Sequence, residues 1–595
     1  MAWRRPKKSR AAGLAGIALF EAMFNDRMKT LSNKRRSTSG LIASDSFNTA
    51  LGIWCNMAKW HTWVGGWIGA VAVSSYALLK PLGNAFSDSI LYQTAALIGN
   101  AFAIAIVLLF FHDRFQTSNP IQRRFPVLYW GRWVAVKLGP LLRQYWFADD
   151  LDEKPYSRVT RNWVYSTSKG QNNTIGFGSQ VDFDSVGTCT VMPAMFKKKE
   201  NQTGEYKRVI GEATGVGKTV TMNHFVNISA MSYGSLSANA ISALNKGAGK
   251  AGIMHNTGEG GYSPYHQKGG DAIWQIGTGK FGCRNEDGTF SDEAFKEVAA
   301  NADIKMIELK LMQGAKPGKG GILPKEKITE EIARIRKVPM AQDVMSPPRH
   351  AEFDDLAGLF DFLDLLRSLC DKPVGIKLVA GHVEEIEAIA EAIAAEPGRG
   401  PDFISVDGGE GGTGAAPLVL ASHAGVPMKQ AVAMMDWALR KSGVRDKVHI
   451  FASGRIATPI DVAVAMSLGA DGVNIARGFM LALGCIQALD CNSNHCPTGI
   501  ATQSKSLQKA LHVDGAAERV ANYVKTLEKE VYMLCHSCGY SSPDQFTSDD
   551  IMVVTSPGHL DYLSELYLVS ASESSEERSA AAKKGMTVGE MKASA

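Results

Sequence analysis

VHIFASGRIATP, residues 448 to 459, and GVNIARG, residues 472 to 478, decide how this chain is read. Each is a short apolar run that suits a buried strand, and each runs straight into small or charged residues. The first puts Ser453, Gly454 and Arg455 at a strand end; the second repeats the arrangement one unit later with Ala476 and Arg477. Small residues let backbone N–H groups approach an anion, and barrels commonly hold phosphate after strands seven and eight. Read blandly, the glycines only make tight βα turns.

Working outward, short runs rich in Val, Ile and Met alternate with helical stretches between Asn223 and Gly478, the pattern of βα units on a parallel sheet. Eight candidate strands are FVNISAM, GIMHNTG, AIWQIG, MIELKLM, GIKLVAG, FISVDGG, VHIFASG and GVNIARG, beginning at residues 225, 252, 272, 306, 375, 403, 448 and 472. The expected fold is therefore α/β, a (β/α)₈ TIM barrel whose active site lies at the C-terminal strand ends. AQDVMSPPRH, residues 341 to 350, is an additional segment after the fourth unit.

Downstream, GCIQALDCNSNHCPTGIATQ (484 to 503) groups Cys485, Cys491 and Cys496. Three thiolates on a glycine- and proline-punctuated segment suit an iron–sulfur cluster, while spacing alone equally admits three unconnected thiols. Three local ligands fit [3Fe-4S], unless Cys535 or Cys538 completes a cubane. CHSC, residues 535 to 538, has only His536 nearby and reads as structural thiols rather than a zinc site. Beside such a cluster FMN is the natural occupant of the phosphate loops, because a flavin accepts single electrons and delivers a hydride.

Composition is that of an ordinary folded protein, with a net charge of +5 whose excess lies mostly in the first 150 residues, which argues against a nucleic-acid partner. Nine unevenly spaced cysteines point to a reducing compartment. Two uncharged apolar runs, Thr62 to Leu79 and Ser89 to Phe111, are long enough to span a membrane. Basic residues flank both outer ends and the intervening loop holds only Lys80 and Asp88, so the positive-inside rule gives a transmembrane helical hairpin with the body on the cytoplasmic or matrix side. Two buried helices of a soluble domain are the alternative, and the basic N-terminus is compatible with a transit peptide.

The expected organisation is a basic segment 1–61, the hairpin 62–113, a connecting region 114–222, the barrel with its iron–sulfur loop 223–503, a C-terminal helical extension 504–569 and a disordered tail 570–595. The connecting region contains the Trp- and Arg-rich stretch Pro126 to Trp146, suited to a membrane surface or to the underside of the body. GEATGVGKT, 211 to 219, misses the P-loop spacing, since Glu212 stands where the first glycine is needed; it reads as a turn before the first strand.

ISAMSYGSLS (228 to 237), HNTGEGGYSP (255 to 264), LKLMQGAKPGKGGILP (309 to 324), SVDGGEGGTGAAP (405 to 417) and the three-cysteine run, in this order, resemble the synthase domain of glutamate synthase. More closely they resemble the FMN-binding glutamate synthase-like proteins with an N-terminal membrane segment. The similarity covers about residues 225 to 505, and more weakly back to Arg143. It implies a [3Fe-4S] cluster on the three cysteines next to FMN, and reduction of 2-iminoglutarate formed from 2-oxoglutarate and ammonia.

Residue by residue, the resemblance implies that Gln313, Lys316 and Arg336 hold the dicarboxylate and that Glu259, with Lys316, serves catalysis. Lys377 would approach the flavin's pyrimidine edge. Ser229, Ala230, Met231, Ser232, Gln275, Asp407, Gly408 and Gly409 match flavin-binding positions, joining Ser453, Gly454, Arg455, Ala476 and Arg477. The bland alternative for the charged members is a solvated surface role.

Two departures matter. Ala2 follows Met1, so the N-terminal cysteine of a glutaminase domain is not expected, and ammonia, another amine or a separate glutaminase subunit would supply nitrogen. No GxGxxG occurs in a βαβ context, so electrons are expected from ferredoxin or a partner rather than from NADPH. Two alternatives stay open: a dehydrogenase oxidising an amino or N-alkyl amino acid toward a membrane acceptor, and a non-catalytic electron-transfer subunit.

Overall fold

A computed structural model describes residues 90–117, 120–179, 181–196, 204–340 and 342–567. The first apolar run and the tail from 570 lie outside the described residues. The chain divides into two units, Met1–Ala148 and Asp149–Ala595.

In the first unit, α1 (Ile90–Phe115) is followed by a short helical turn (Pro120–Arg124) and by α2 (Leu128–Leu142), which runs into a π-helical turn, Arg143–Phe147. Within α1, Leu97–Phe115 is long and apolar enough to cross a membrane, by length and composition. It is the one such helix among the described residues. The hairpin itself needs the first run and so stays an expectation.

The second unit begins with α3 (Arg158–Ser168) and a strand, β1 (Cys189–Val191). An antiparallel pair follows, β2 (Arg208–Ile210) and β3 (Val220–Met222). Then come the barrel strands β4 (Val226–Ile228), β5 (His255–Asn256), β6 (Ala272–Ile276) and β7 (Ile304–Lys310). After a two-stranded flap, β8 (Ile322–Leu323) with β9 (Val344–Met345), the barrel resumes as β10 (Val374–Leu378), β11 (Phe403–Asp407), β12 (His449–Ser453) and β13 (Gly472–Ile475). These eight strands close a parallel barrel, β13 pairing with β4 through Asn474↔Asn227. Every strand expected from the sequence is present. AQDVMSPPRH supplies β9 and thus half of the flap.

Strand side chains alternate faces, so residues two apart point the same way. The interior is accordingly layered. Near the N-terminal ends, Met254, Ile273, Met306, Phe403 and Phe451 pack with Ile210 and Met222 of the β2–β3 hairpin, which plugs that mouth. The P-loop look-alike is the connection of this plug, and His449 Nε2 ties it down by donating to Val209 O at 2.9 Å. Gly375 is glycine because a Cβ there would meet the Phe403 ring at 2.5 Å.

One layer up lie polar residues. Glu308 accepts from Asn256 Nδ2 (2.8 Å), Gln275 Nε2 (2.6 Å) and Ser405 Oγ (2.5 Å), and Asn474 Nδ2 donates to Ser405 Oγ at 3.1 Å. A buried carboxylate is tolerable only when so surrounded by donors.

Helix α4 (Ala238–Ala251) packs on α5 (Val513–Ser537), close enough that a Cβ on Gly247 would meet Val520 at 2.5 Å. The extension expected to be helical is so through Ser537 and again at Leu563–Tyr567. Between them β14 (Ile551–Ser556) and β15 (His559–Tyr562) form a hairpin, and β14 pairs with β1 in the register Cys189↔Val553. The β-branched apolar run in IMVVTS suits this strand, but nothing local names its partner. Cys535 and Cys538 are buried at the end of α5.

Candidate active site at the strand ends

A third layer of inward residues opens into a cavity of about 730 Å³ at the C-terminal strand ends, within the range usual for cofactor and ligand pockets. The structure gathers Ser229, Ala230, Met231, Ser232, Glu259, Gln275, Gln313, Lys316, Arg336, Lys377, Asp407, Ser453, Arg455, Ala476, Arg477 and the three grouped cysteines into its wall. Gly408, Gly409 and Gly454 do not line it. They sit behind: Gly408 N donates to Ser453 O at 2.7 Å and Gly409 N to Val426 O at 2.8 Å. A Cβ on Gly314 would lie 1.7 Å from Gly408 O, so the QGAKP and DGGEGG loops meet only because Gly314 has no side chain.

One side of the cavity is the corner formed by the turns after β12 and β13. Gly454 (φ 137°) and Arg455 (φ 57°) turn the chain sharply after β12, and Arg477 Nη2 donates to Glu410 O at 2.6 Å. Between this corner and the barrel floor, Asp407 accepts from Ser453 Oγ and Gly314 N, both at 2.9 Å, with Lys377 Nζ 3.5 Å away. Two arginines at a small-residue turn fit the phosphate of the flavin expected from the sequence.

The opposite side concentrates charge. Lys310 Nζ lies 2.9 Å from Glu259 Oε1 and donates to Gln313 Oε1 at 2.6 Å. Lys316 Nζ donates to Ala415 O at 3.1 Å, and Arg336 Nη2 to Tyr233 O at 2.7 Å. Burial by itself raises the Glu259 carboxyl, but Lys310, then Lys316 and Arg336, outweigh it and hold the group below its ordinary value. Burial pulls Lys316 down to about 8, against the attraction of Glu259. Arg336 falls to about 10 from burial, and its buried Nε has no partner among the described residues. Three cations thus face one carboxylate, which suits a ligand carrying two negative charges.

The third wall is the cysteine loop. Among the described residues no three metal-binding side chains converge tightly enough for a single ion, yet the three thiols line one cavity and influence one another electrostatically. Burial pushes Cys485 up to about 11 and raises Cys491. Burial also raises Cys496, but hydrogen bonds from Thr498 and from the backbone at Thr498, Ile500 and Ala501 leave it below its usual value. Iron, if bound, would ionise all three. Cys535 and Cys538 do not line the cavity, so among the described residues no fourth thiol joins the three.

Four site residues were not singled out from the sequence. Lys310 ends β7 two positions after Glu308, and the inward alternation of that strand could have found it. Lys327, buried, donates to Cys491 O at 2.7 Å and Ser235 O at 2.9 Å, and burial draws it down to about 8 against the pull of Cys491 and Cys496. Tyr156 and Gln487 meet only in three dimensions, and no local signal marks them.

A closed parallel barrel with glycine- and arginine-bearing turns after its last two strands, a cationic pocket and a cysteine loop on one cavity defines an α/β barrel with a strand-end site that suits a flavin. The profile of the conserved region in glutamate synthase matches residues 188–541, and the chain belongs to that family. It is 41% identical over 508 residues to glutamate synthase large subunit-like protein YerD of Bacillus subtilis, covering 78% of this chain and 96% of that protein. It is 38% identical over 338 residues to the archaeal glutamate synthase (NADPH) of Methanocaldococcus jannaschii, covering 55% of this chain and 62% of that one. The chain thus spans less than two thirds of that archaeal relative. Among solved structures, the flavin-binding domain of baker's yeast flavocytochrome b2 aligns at 14% identity and a TM-score of 0.38, over 67% of this chain and 79% of that one.

Proposed function

We propose that the protein is a membrane-tethered FMN and iron–sulfur oxidoreductase that reduces 2-iminoglutarate, formed from 2-oxoglutarate and ammonia or an amine, to glutamate. The observation that carries this is the wall of Lys310, Lys316 and Arg336 around Glu259, facing the phosphate corner across one cavity.

Ser453, Arg455, Ala476 and Arg477 would hold the FMN phosphate, the Ser229–Ser232 loop, Gln275 and Lys377 its ring, and Cys485, Cys491 and Cys496 a [3Fe-4S] cluster. Bound there, the flavin supplies hydride chemistry and the cluster supplies one-electron transfer from ferredoxin or a partner. Lys316 and Arg336 grip the substrate carboxylates, one as a point charge and one as a fork. Gln313, pinned by Lys310, orients the keto end. Glu259, ionised beside Lys310, holds and returns the proton exchanged as ammonia condenses. The flap of β8 and β9 and the loop at 412–415 narrow access to water.

The N-terminal segment, the hairpin 62–113, the connecting region and the barrel 223–503 are the proposed organisation, with the body on the cytoplasmic or matrix side. The test is a titration of the purified full chain with 2-oxoglutarate, followed by turnover with ammonia and chemically reduced ferredoxin. A change in flavin absorbance and glutamate formation are expected; neither one appearing overturns the proposal.

A further inference from the structure

We infer that residues 120–147 form an elbow lying in the headgroup plane of an anionic membrane surface. This rests on the proposed reading of α1 as a spanning helix. The elbow has a built corner. Asp113, two residues from the end of α1, has a fully buried carboxylate that accepts from Gln122 Nε2 (2.6 Å), Val127 N (2.9 Å) and Trp130 Nε1 (3.0 Å). These bonds turn the chain back and fix the start of α2 against the end of α1. Val127 accepts a left-handed backbone (φ 63°) at the corner, a conformation that a β-branched residue adopts only when its surroundings impose it.

What this corner presents is both apolar and basic. Trp133, Val134, Val136, Leu138, Leu141, Trp146 and Phe147 are exposed, more apolar surface than a water-facing segment of this length carries. From Arg114 to Ala148 the chain has Arg114, Arg123, Arg124, Arg132, Lys137 and Arg143 and no Asp or Glu. Trp and Tyr settle at membrane interfaces, while basic residues beside a spanning helix are drawn to anionic lipid. Continuity with α1 places this segment where such a surface would be. Continuity with a spanning helix, rather than charge or tryptophan alone, favours lipid over an acidic protein face.

The experiment places the full chain in nanodiscs of phosphatidylcholine alone or mixed with phosphatidylglycerol and follows amide hydrogen exchange. Exchange over 120–147 is expected to slow by about tenfold or more when phosphatidylglycerol is present. High salt, or the combined substitutions R123Q, R124Q, R132Q and K137Q, should remove the slowing. Asp113→Asn should speed exchange at 120–130 in both lipids while leaving residues 149–567 unchanged. Release of the full chain by carbonate overturns the spanning reading and the elbow with it. Resistance to carbonate with identical exchange in the two lipids overturns the elbow alone, as does slowing that needs an added protein rather than anionic lipid.

Discussion

Gln487 grips the backbone of Tyr156 from both sides: its Oε1 accepts from Tyr156 N and its Nε2 donates to Tyr156 O, each at 3.0 Å. Gln487 lies in the loop between Cys485 and Cys491, and the Tyr156 ring lies 5.2 Å beneath the Arg477 guanidinium. One side chain therefore couples the cysteine loop to the phosphate corner. Gln487→Ala and Tyr156→Ala should each weaken FMN retention several-fold, whereas Tyr156→Phe, which keeps the ring under the cation, should stay near wild type. Fluorescence of flavin released on dilution measures this. Equal retention in all three variants would leave the coupling without consequence.

Arg455→Ala should weaken FMN binding more, by about 10- to 100-fold, because a hydrogen bond to a charged group contributes roughly 1.5–3 kcal/mol. Lys at this position should recover only part of the loss, lacking the planar fork. Equilibrium dialysis against FMN decides it, and full affinity in Arg455→Ala would remove the residue from the phosphate site.

Dicarboxylate affinity should depend on pH through Lys316. Its folded value, about 8, is below its unfolded one, so the ammonium loses its proton as pH rises through about 8. The dissociation constant for 2-oxoglutarate should therefore rise from pH 7 to 9, by at most about tenfold per unit for one proton. Lys316→Met should bind weakly at every pH with a flatter profile. The sign for stability is opposite: between about 8 and the unfolded value the unfolded chain holds the extra proton, so this burial penalty fades as pH rises. A flat affinity profile in the wild type counts against Lys316 as the titrating group.

The iron centre should show, when oxidised, a near-isotropic paramagnetic signal that vanishes on one-electron reduction, and Cys491→Ser should lose both signal and iron. Lys327→Met should move the midpoint potential negative, because a buried positive charge beside Cys491 favours the reduced centre; Lys327→Arg should restore it in part. A signal that appears only on reduction would require a fourth ligand, and the described residues of the cavity wall offer no fourth thiol for it, only Asp490 in the cysteine loop.

Membrane attachment should reside before Asp149. The full chain should resist carbonate extraction, and a chain starting at Asp149 should remain in the supernatant and keep its flavin. Sedimentation followed by absorbance separates these outcomes.

Most of the barrel strands were legible because they are buried on both faces and read as largely apolar runs; β5, only His255–Asn256, was found through the apolar residues that precede it. The polar residues that interrupt those runs, Glu308, Ser405 and Asn474, mark the inward face, and the cavity follows from the same alternation two residues on. Tyr156 was illegible for the opposite reason: it precedes every barrel strand, and its place in the wall comes from Gln487, far along the chain. The β2–β3 plug was seen only as a turn, since three-residue strands carry too little pattern to announce a partner.

The pairing of β1 with β14 sets a timetable for the nascent chain. At 5–20 residues per second, a ribosome that has made Cys189 delivers Val553 roughly 20–70 s later. Throughout that interval β1 has an unpaired edge, and the barrel can close through β13 well before the edge is covered. The edge of β1 can be covered only once a hairpin from the far end of the message has arrived, and a chain halted near residue 541 would carry an open strand edge, the kind of surface that recruits a second strand from a neighbour.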